Sequence, residues 1–357
     1  MSTNPEPPLI LSVFATFAVG GPQVRFCAVA NRLGRRIRHV VLAMDGNTAA
    51  ASRLDPSLDL DFPAIPVVKG DTRGNLLRFR AWLQARRPAL MVTHNWGSIE
   101  WAMARLFTGI PHIHIADGFG PEERASQIPR RVWTRRLVLR GSTVVVPSRT
   151  LEAIARDTWR LPDVRYIPNG IDLTAFAPAP HAPPDAPMIG TVAALRPEKN
   201  LARLLRACAL VQRPWQLTIA GDGQERPGLE ALAASLGIAG RTRFTGHVAA
   251  PQTIYPGFDI VALSSDTEQM PISVLEAMGA GLPVAATDVG DIAVMLAPEN
   301  REFVVPQDEA ALAGALDRLL GDPALRARLG AANRARAEAE FDQERMFAAY
   351  AGLFGVG

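Results

Sequence analysis

The sequence predicts an α/β protein of two doubly wound domains, each a parallel sheet with helices on both faces. Short apolar strands alternate with amphipathic helical segments along the chain, as in parallel sheets covered by helices. The chain of 357 residues is longer than a single hydrophobic core ordinarily accommodates, so two domains are expected, and no apolar run is long enough to cross a bilayer. A proline-rich stretch at 177–187 has no helical or strand period and divides the chain.

The first half begins with the apolar run 9–21. This run lacks a preceding basic region and leads into a glycine turn, so we interpret it as a buried first strand and not as a signal peptide. The strands predicted in this half are 10–17, 38–44, 65–68, 90–95, 111–115, 143–147 and 164–167. The helices predicted between them are 21–34, 74–87, 98–107, 130–140 and 149–159.

The second half repeats the alternation. Its predicted strands are 188–193, 215–220, 242–245, 259–264, 283–287 and 302–305, and its predicted helices are 200–212, 228–236, 271–280, 308–320 and 323–340. We therefore expect an N-terminal domain at 1–176, a linker at 177–187 and a C-terminal domain at 188–340. A last helix at 341–357 is expected to pack back toward the N-terminal domain. Ligands of open α/β sheets bind at the carboxyl ends of the strands, so the predicted site is the central cleft between two facing domains.

Charge is distributed unevenly along the chain. Residues 1–170 carry 23 Lys and Arg against 13 Asp and Glu, a net +10, whereas 171–357 carry 15 against 22, a net −7. A basic half suggests an anionic partner, but the basic residues are scattered and match no nucleic-acid-binding motif. The two cysteines, Cys27 and Cys208, are far apart, which fits buried core thiols in a reducing cytoplasm.

The segment 264–290 carries the strongest chemical signal. A predicted strand ends in a polar loop with Glu268, Pro271 suits the first turn of a helix, and Glu276 lies inside that helix. A helix N-terminus favours phosphate, so the segment is suited to hold a hydroxylated group, a phosphate and a second hydroxylated group in a row, as in a nucleotide-sugar. The alternative is that Glu268 is a capping carboxylate and Glu276 a solvated surface residue.

This segment resembles the E-x7-E region of retaining GT-B glycosyltransferases of the large family four, usually E-G-F-P-x-x-x-L-E-A-M-A-x-G-x-P-V. The chain matches at Glu268, Pro271, Leu275, Glu276, Ala277, Met278, Gly281, Pro283 and Val284, and departs at Gln269 and Met270. The resemblance implies a GT-B fold of two Rossmann-like domains. The N-terminal domain would then bind the acceptor and the C-terminal domain the nucleotide-sugar donor, with Glu268 on the donor sugar and Glu276 on the ribose.

Other segments resemble further landmarks of the family. GTVAALRPEKN, residues 190–200, resembles its R-x-x-K segment, which implies that Arg196 and Lys199 bind the diphosphate; the alternative is an ordinary charged helix start. FTGHV, residues 244–248, matches the loop that meets the nucleobase, and FAVGGPQ, residues 17–23, matches the first glycine loop. The donor-binding residues so implied are Gly20, Gly21, Arg196, Lys199, Gly246, His247, Val248, Glu268, Gln269, Met270, Pro271, Ile272 and Glu276.

The acceptor side is predicted from two segments after strands, THNWGSIEW at 93–101 and HIHIADGFGPEE at 112–123. Relatives often carry His-Gly where this chain has Asp117-Gly118. Asp117 either replaces that histidine as a hydrogen-bond acceptor or marks a rearranged local chemistry. The acceptor-side candidates are His94, Asn95 and Glu100. The catalytic candidates are Asp117, Glu268, Arg196 and Lys199.

The resemblance implies a retaining, hexosyltransferase-like enzyme that moves a sugar from a UDP- or GDP-linked donor to an acceptor hydroxyl in cell-surface or lipid-linked glycan biosynthesis. No cofactor or metal is expected, because no Asp-x-Asp follows a suitable strand and the two cations can stabilise the leaving diphosphate. The alternatives are a sugar-nucleotide epimerase of similar fold and a non-catalytic nucleotide-sugar-binding module.

The segment 129–141, PRRVWTRRLVLRG, interleaves arginines with apolar residues. A basic amphipathic helix of this kind can lie on an anionic membrane, and a solvated helix with one buried face is the alternative. The family resemblance favours the membrane interpretation, since many relatives extend lipid-linked glycans. It thus implies a cytoplasmic protein at the inner face of the membrane, acting on a glycan or lipid-linked acceptor, and we expect no nucleic-acid partner.

Overall fold

The computed structural model describes residues 6–119, 121–123, 126–178 and 186–357. The chain divides into two compact units. Unit 1 comprises the residues up to Pro168 together with Arg345–Gly357, and unit 2 comprises Asn169–Glu344. Most of the predicted linker, residues 179–185, lies outside the described residues.

Unit 1 is built on a seven-stranded sheet in the order β3-β2-β1-β4-β5-β6-β7, with every pair of neighbours parallel. The strands are β1 Leu9–Phe14, β2 Arg38–Ala43, β3 Leu60–Asp61, β4 Leu90–His94, β5 His112–Ile115, β6 Thr143–Val146 and β7 Val164–Tyr166. Their central residues are almost all buried, because helices cover both faces of a parallel sheet.

The helices of unit 1 are α1 Gly21–Leu33, α2 Thr72–Arg86, α3 Ile99–Arg105, α4 Pro129–Val138 and α5 Arg149–Ala153, the last continued by a π-helical turn over Ile154–Thr158. Phe79 of α2 and Trp101 of α3 pack in one core, on one face of the sheet. Val29 of α1 packs in another core with Phe347, which belongs to the C-terminal helix (Gln343–Leu353).

Unit 2 contains a six-stranded parallel sheet in the order β10-β9-β8-β11-β12-β13. Its strands are β8 Met188–Val192, β9 Gln216–Ala220, β10 Thr242–Gly246, β11 Ile260–Leu263, β12 Val284–Thr287 and β13 Val304–Val305. Its helices are α6 Leu201–Leu210, α7 Arg226–Ser235, α8 Ile272–Gly279, α9 Ile292–Met295, α10 Glu309–Gly321 and α11 Pro323–Glu340; α12, Gln343–Leu353, is the C-terminal helix already described.

Two features of the fold differ from the sequence prediction. The predicted strand at 65–68 is irregular, and the third strand is instead the two-residue β3. Pro63 and Pro66 explain this difference, since proline has no N–H group to donate to a ladder. The predicted domain boundary at 176 also differs, because 169–176 belongs to unit 2, where Ile171 forms a parallel bridge with Asp342.

Both cysteines are free and buried, and burial raises the pKa of Cys27 to about 11 and that of Cys208 to about 12. Thiols with such pKa values are poor nucleophiles at neutral pH, which suits a packing role. Within the described residues, no helix is long and apolar enough to cross a membrane.

Candidate functional site

The strand order of unit 2 reverses between β8 and β11, and ligands of open α/β sheets bind at such a reversal. Lys199 ends a short 3-10 turn after β8, and Glu268 lies in the loop after β11. Lys199 Nζ lies 2.5 Å from Glu268 Oε1, and Ser265 Oγ donates to the same oxygen at 2.8 Å. The fold therefore brings together two predicted site residues that lie 69 positions apart in the chain.

A second group of polar contacts holds these two loops against each other. Arg203 pairs with Asp266 at 2.8 Å, and Asn200 Nδ2 donates to the same carboxylate at 3.0 Å. Ser264 Oγ donates to the carbonyl oxygen of Asn200 at 2.9 Å, and Arg203 Nη1 donates to that of Ser264 at 2.7 Å. Sequence reasoning missed these supporting residues, although their position directly after two strands was a usable signal.

The loop that carries Glu268 also packs tightly against Gly290. A Cβ atom at position 290 would lie 2.3 Å from the carbonyl oxygen of Glu268, and Gly290 has φ +58°. Both facts require glycine here. The backbone N–H of Asp291 donates to the carbonyl oxygen of Gln269 at 2.9 Å, so the loop is fixed from this side as well.

Helix α8 begins just beyond this loop. Pro271 precedes its first residue, Ile272, and no hydrogen bond from a side chain in the described ranges caps the amino end. The first N–H groups of a helix lack intrahelical partners and carry a partial positive charge. The amino end of α8 is thus suited to accept an anionic group beside the Lys199–Glu268 pair.

Glu276 lies in the second turn of α8, where its carboxylate meets a buried tyrosine. Tyr255 O–H donates to Glu276 Oε2 at 2.6 Å and also contacts the carbonyl oxygen of Ser273 at 3.3 Å. Burial raises the pKa of Glu276 above its ordinary value, and the hydrogen bond from Tyr255 opposes that shift only in part. Glu276 is therefore not the solvated surface residue of the alternative interpretation. Sequence reasoning missed Tyr255.

The side chain of Met270 lies in the core of unit 2 and is only 6% exposed. Asn169 binds this residue twice: its Nδ2 donates to the carbonyl oxygen of Met270 at 3.1 Å, and its backbone N–H to the sulfur at 3.2 Å. Met270 is thus positioned to shape the loop by packing in the core, whereas the family resemblance implied that it contacts the donor.

The remaining predicted donor residues of unit 2 are spread along the carboxyl edge of the sheet. Arg196 follows β8 and is exposed, and within the described residues its guanidinium forms no ion pair. Gly246 ends β10 with φ +74°, followed by exposed His247 and half-buried Val248. Since β9 and β8 separate β10 from β11, these three residues lie apart from Glu268.

In unit 1, the carboxyl end of β5 carries a buried ion pair. Asp117 Oδ1 lies 2.6 Å from Arg25 Nη2, and the two side chains are 9% and 6% exposed. Burial alone would lower the pKa of Arg25, but the Asp117 carboxylate raises it above its ordinary value. The backbone N–H of Asp117 donates to Asn95 Oδ1 at 2.7 Å. The fold therefore brings together two of the candidate residues, Asp117 and Asn95. Arg25, the ion-pair partner of Asp117, was not among the candidates.

His94 ends β4 but lies inside the core, where its ring stacks on Phe14 with 3.8 Å between ring centroids. It is 3% exposed, and neither ring nitrogen has a hydrogen-bond partner among the described residues. Burial, followed by the nearby charge of Arg25, holds the pKa of His94 well below its usual value. A neutral, buried ring differs from the acceptor-side contact that the sequence suggested.

Glu100 is used in a structural contact. Its carboxylate accepts from Thr72 Oγ1 at 2.6 Å and from Asn75 Nδ2 at 2.9 Å, which ties α3 to α2. Gly20 precedes the first residue of α1, Gly21, and has an extended backbone with φ −164°. In the described part of the chain, no group of three or more His, Cys, Asp or Glu side chains is arranged to hold a metal ion.

Two arginines of α4 face inward. Arg135 Nη1 and Nη2 donate to the two carboxylate oxygens of Glu123 at 3.0 and 2.8 Å, and Arg131 pairs with the same carboxylate at 3.1 Å. The Arg135 guanidinium also lies 4.9 Å from the ring centroids of both Trp96 and Trp159. Arg135 is therefore buried and Arg131 mostly so, and both are engaged within unit 1.

The other side of α4 is exposed. Trp133 is 60% and Leu137 is 71% exposed, and Arg130 and Arg140 are also exposed. Arg136 donates to the carbonyl oxygen of Thr158 and lies over the Trp133 ring at 4.9 Å. The exposed face thus combines two large apolar side chains with flanking positive charge.

Two family models match this chain. "Glycosyltransferase Family 4" matches residues 19–175, and "Glycosyl transferases group 1" matches residues 174–336. The two matches overlap at 174–175 and together cover residues 19–336, which include α1 and every strand except β1.

Two of the similar proteins carry glycosyltransferase names. A GDP-mannose-dependent alpha-mannosyltransferase from Mycolicibacterium smegmatis is 31% identical over 61% of this chain and 57% of its own length. A D-inositol 3-phosphate glycosyltransferase from Stackebrandtia nassauensis is 27% identical over 87% of this chain and 81% of its own. The chain thus spans little more than half of the first relative.

Solved structures resemble the whole fold. A sucrose-phosphate synthase from Thermosynechococcus elongatus superposes with a TM-score of 0.80 at 22% identity, covering 97% of this chain and 98% of its own. Anabaena HepE in complex with UDP and glucose gives 0.82 at 19% identity, covering 98% and 99%. These likenesses establish the GT-B fold, and together with the family matches they show that the chain belongs to the GT-B glycosyltransferases of family four.

Proposed function

We propose that this protein is a retaining glycosyltransferase that moves a hexose from a UDP- or GDP-linked donor to an acceptor hydroxyl. The observation that carries the proposal is the Lys199–Glu268 pair, placed where the strand order of unit 2 reverses and beside the uncapped start of α8. A cation, a carboxylate and a free helix N-terminus at one sheet edge suit a phosphate joined to a hydroxylated group.

Each group has a distinct role in the proposed reaction. The anomeric carbon loses its bond to the diphosphate oxygen and gains one to the acceptor oxygen on the same face, and the departing phosphate oxygen takes the acceptor proton. Arg196, Lys199 and the amino end of α8 stabilise the charge on the leaving diphosphate, which makes a metal unnecessary. Glu268 then binds sugar hydroxyls, and Lys199 is released from it when phosphate binds.

Glu276 is proposed to bind the ribose. Its Oε2 already accepts a hydrogen bond from Tyr255 at 2.6 Å, which fixes the carboxylate and leaves the other oxygen to accept from hydroxyls. For Asp117 we propose the role of hydrogen-bond acceptor for a hydroxyl of the reacting sugar or the acceptor, with Arg25 holding the carboxylate in place.

The test is calorimetric titration of UDP, GDP and ADP into the parent protein and into Glu276→Ala, Lys199→Met and Glu299→Ala. Glu299 is an exposed glutamate of unit 2 and serves as the control. One diphosphate is expected to bind the parent. Glu276→Ala and Lys199→Met should each weaken it by about 10- to 100-fold, as for lost hydrogen bonds to charged groups. Absent binding, or equal weakening in Glu299→Ala, would contradict the donor site.

Product analysis then separates the enzyme from its alternatives. A transferase yields a new glycoside whose anomeric configuration, read by nuclear magnetic resonance, matches the donor. An epimerase would convert the sugar of the donor without any acceptor, and a binding module would retain the nucleotide without turnover.

We also propose that the protein acts at the cytoplasmic face of a membrane in cell-surface or lipid-linked glycan synthesis. The support is the exposed side of α4, which carries Trp133, Leu137 and Arg130, with the exposed Arg140 two residues past the end of the helix. An apolar strip flanked by arginines suits shallow insertion among anionic headgroups. The arginines paired with Glu123 take no part in this contact.

A further inference from the structure

A cavity of about 600 Å³ opens at the amino ends of β4, β5, β6 and β7 in unit 1. This edge of the sheet is opposite to the carboxyl edge that carries Asp117 and Asn95. The volume lies within the range of small-molecule sites, roughly 300–1,000 Å³. Its lining includes Arg105, Arg140, Arg165, Asp163, His112 and Ser142.

The charges in this lining do not balance. Among the described lining residues, Asp163 alone carries a carboxylate. Its oxygens already accept hydrogen bonds from Thr143 Oγ1 at 2.6 Å and from Arg165 Nε at 3.3 Å. Arg140 and Arg105 remain, and no ion pair is found for either of them within the described residues. The cavity therefore has a surplus of positive charge.

Of the three arginines, Arg105 is held in place by hydrogen bonds to the backbone. It is half-buried, and its Nε and Nη2 donate to the carbonyl oxygens of Ile110 at 2.9 Å and Gly141 at 3.0 Å. Burial lowers the pKa of Arg105 below its ordinary value, and no carboxylate opposes this shift. A fixed, partly desolvated guanidinium without a counter-ion is a favourable partner for an anion.

The wall beside Arg105 is polar but uncharged. His112 Nδ1 lies 2.7 Å from Ser142 Oγ, and its Nε2 lies 2.9 Å from Thr93 Oγ1, which also lies 2.8 Å from His114 Nδ1. Burial, followed by the electrostatic influence of His114 and of Arg105, holds the pKa of His112 well below its usual value, so its ring is neutral. This wall therefore supplies hydrogen-bonding groups and no negative charge that would repel an anion.

We propose that this cavity binds a phosphate-bearing ligand at the amino edge of the unit 1 sheet, through Arg105, Arg140 and Arg165. Phosphate suits the planar forks of arginines that converge on one cavity. The volume leaves room for an organic group attached to the phosphate. The site is separate from the proposed donor site, whose phosphate-binding groups belong to unit 2.

The test is to titrate inorganic phosphate into five proteins and to measure binding by calorimetry and thermal denaturation. The proteins are the parent, Arg140→Gln, Arg105→Lys, Lys199→Met and Arg328→Gln. Arg140 and Arg328 are both exposed, so Arg328→Gln is the control for loss of one surface charge. Arg105→Lys keeps the charge but loses the guanidinium fork. We expect Arg140→Gln and Arg105→Lys each to weaken one class of phosphate site about tenfold. That class should survive in Lys199→Met and in Arg328→Gln.

Phosphate binding that disappears entirely in Lys199→Met would overturn the proposal, since all binding would then belong to the donor site. Equal weakening in Arg140→Gln and Arg328→Gln would overturn it as well. Binding to vesicles that contain phosphatidic acid is then compared with binding of soluble glycerol phosphate, which identifies the source of the phosphate. Loss of vesicle binding in Arg105→Lys would assign a lipid headgroup, and loss of glycerol phosphate binding alone would assign a soluble ester.

Discussion

In the proposed function, the side chain of Glu276 is subject to two opposing requirements, ligand binding and stability. The proposed ribose-binding role calls for a charged carboxylate, yet burial raises the pKa of Glu276, so that ionisation is disfavoured in the folded protein. The unfolded chain has no such shift. At pH values between the ordinary and the raised pKa, the folded state therefore holds more protons than the unfolded state.

The free energy of unfolding should accordingly depend on Glu276. Its contribution is fully present below the ordinary pKa of a glutamate, near 4.5, and is lost as the pH rises through the raised pKa of the folded state. We expect Glu276→Gln to be more stable than the parent at neutral pH, with the difference shrinking toward about pH 4. Urea unfolding of both proteins across this range measures it, with Glu299→Gln as control. A difference that does not change with pH would contradict the prediction.

The same residues show how far the sequence leads at this scale. Glu268, Glu276 and Lys199 could be named as candidates, because their segments resemble motifs of the family. Tyr255 and Arg25 could not, because each reaches its partner through the fold. Tyr255 lies 21 positions before Glu276 and has no motif of its own.

At the scale of single elements, α4 is the clearest case. The sequence shows a helix with interleaved arginines but not which of them face inward. The fold places Arg135 between two tryptophans and pairs it with Glu123, whose side chain is fully buried. Burial would raise the pKa of Glu123, but hydrogen bonds and charge from Arg135 and Arg131 outweigh it and lower the pKa.

Removing one partner of this pair should therefore be costly. Glu123→Ala leaves the Arg135 guanidinium buried without its counter-ion, and such a change lowers the free energy of unfolding by about 3–5 kcal/mol. Arg130→Ala, on the exposed side of α4, should change it by no more than about 0.5 kcal/mol. Urea unfolding at neutral pH measures both. A loss below about 1 kcal/mol in Glu123→Ala would show that the pair contributes little.

Strands illustrate the opposite case, where an apolar pattern predicts too much. The stretch 65–68 reads as a strand from Ile65, Val67 and Val68, but its prolines prevent regular pairing. The strand next to β2 instead forms over Leu60–Asp61. Apolar alternation identifies side chains that pack, whereas pairing also needs backbone donors in register.

At the scale of the whole molecule, alternation of strands and helices was enough to predict two parallel sheets, because each sheet is formed by local strand–helix repeats. The order of strands was not predictable from alternation. It is set by the reversals after β1 and β8, which depend on the side to which each helix crosses. Those reversals also determine which loops meet, and hence where Lys199 and Glu268 lie.

The uneven charge of the chain supports a last prediction. Residues 1–170 carry a net +10, and the exposed face of α4 belongs to this half. Each basic residue close to an anionic surface contributes about 1 kcal/mol, and salt screens the attraction. We expect the protein to cosediment with phosphatidylglycerol vesicles at low ionic strength and to be released at about 0.5 M salt.

Apolar insertion should add to this attraction. Replacing both Trp133 and Leu137 by glutamine removes the exposed apolar side chains of α4 without changing its charge, so the double variant should bind these vesicles about tenfold more weakly. Leu210→Gln, at a half-exposed site in the acidic half, is the matched control and should bind like the parent. Equal binding of the double variant and the control, or equal binding of the parent to phosphatidylcholine vesicles, would place the membrane contact elsewhere or exclude it.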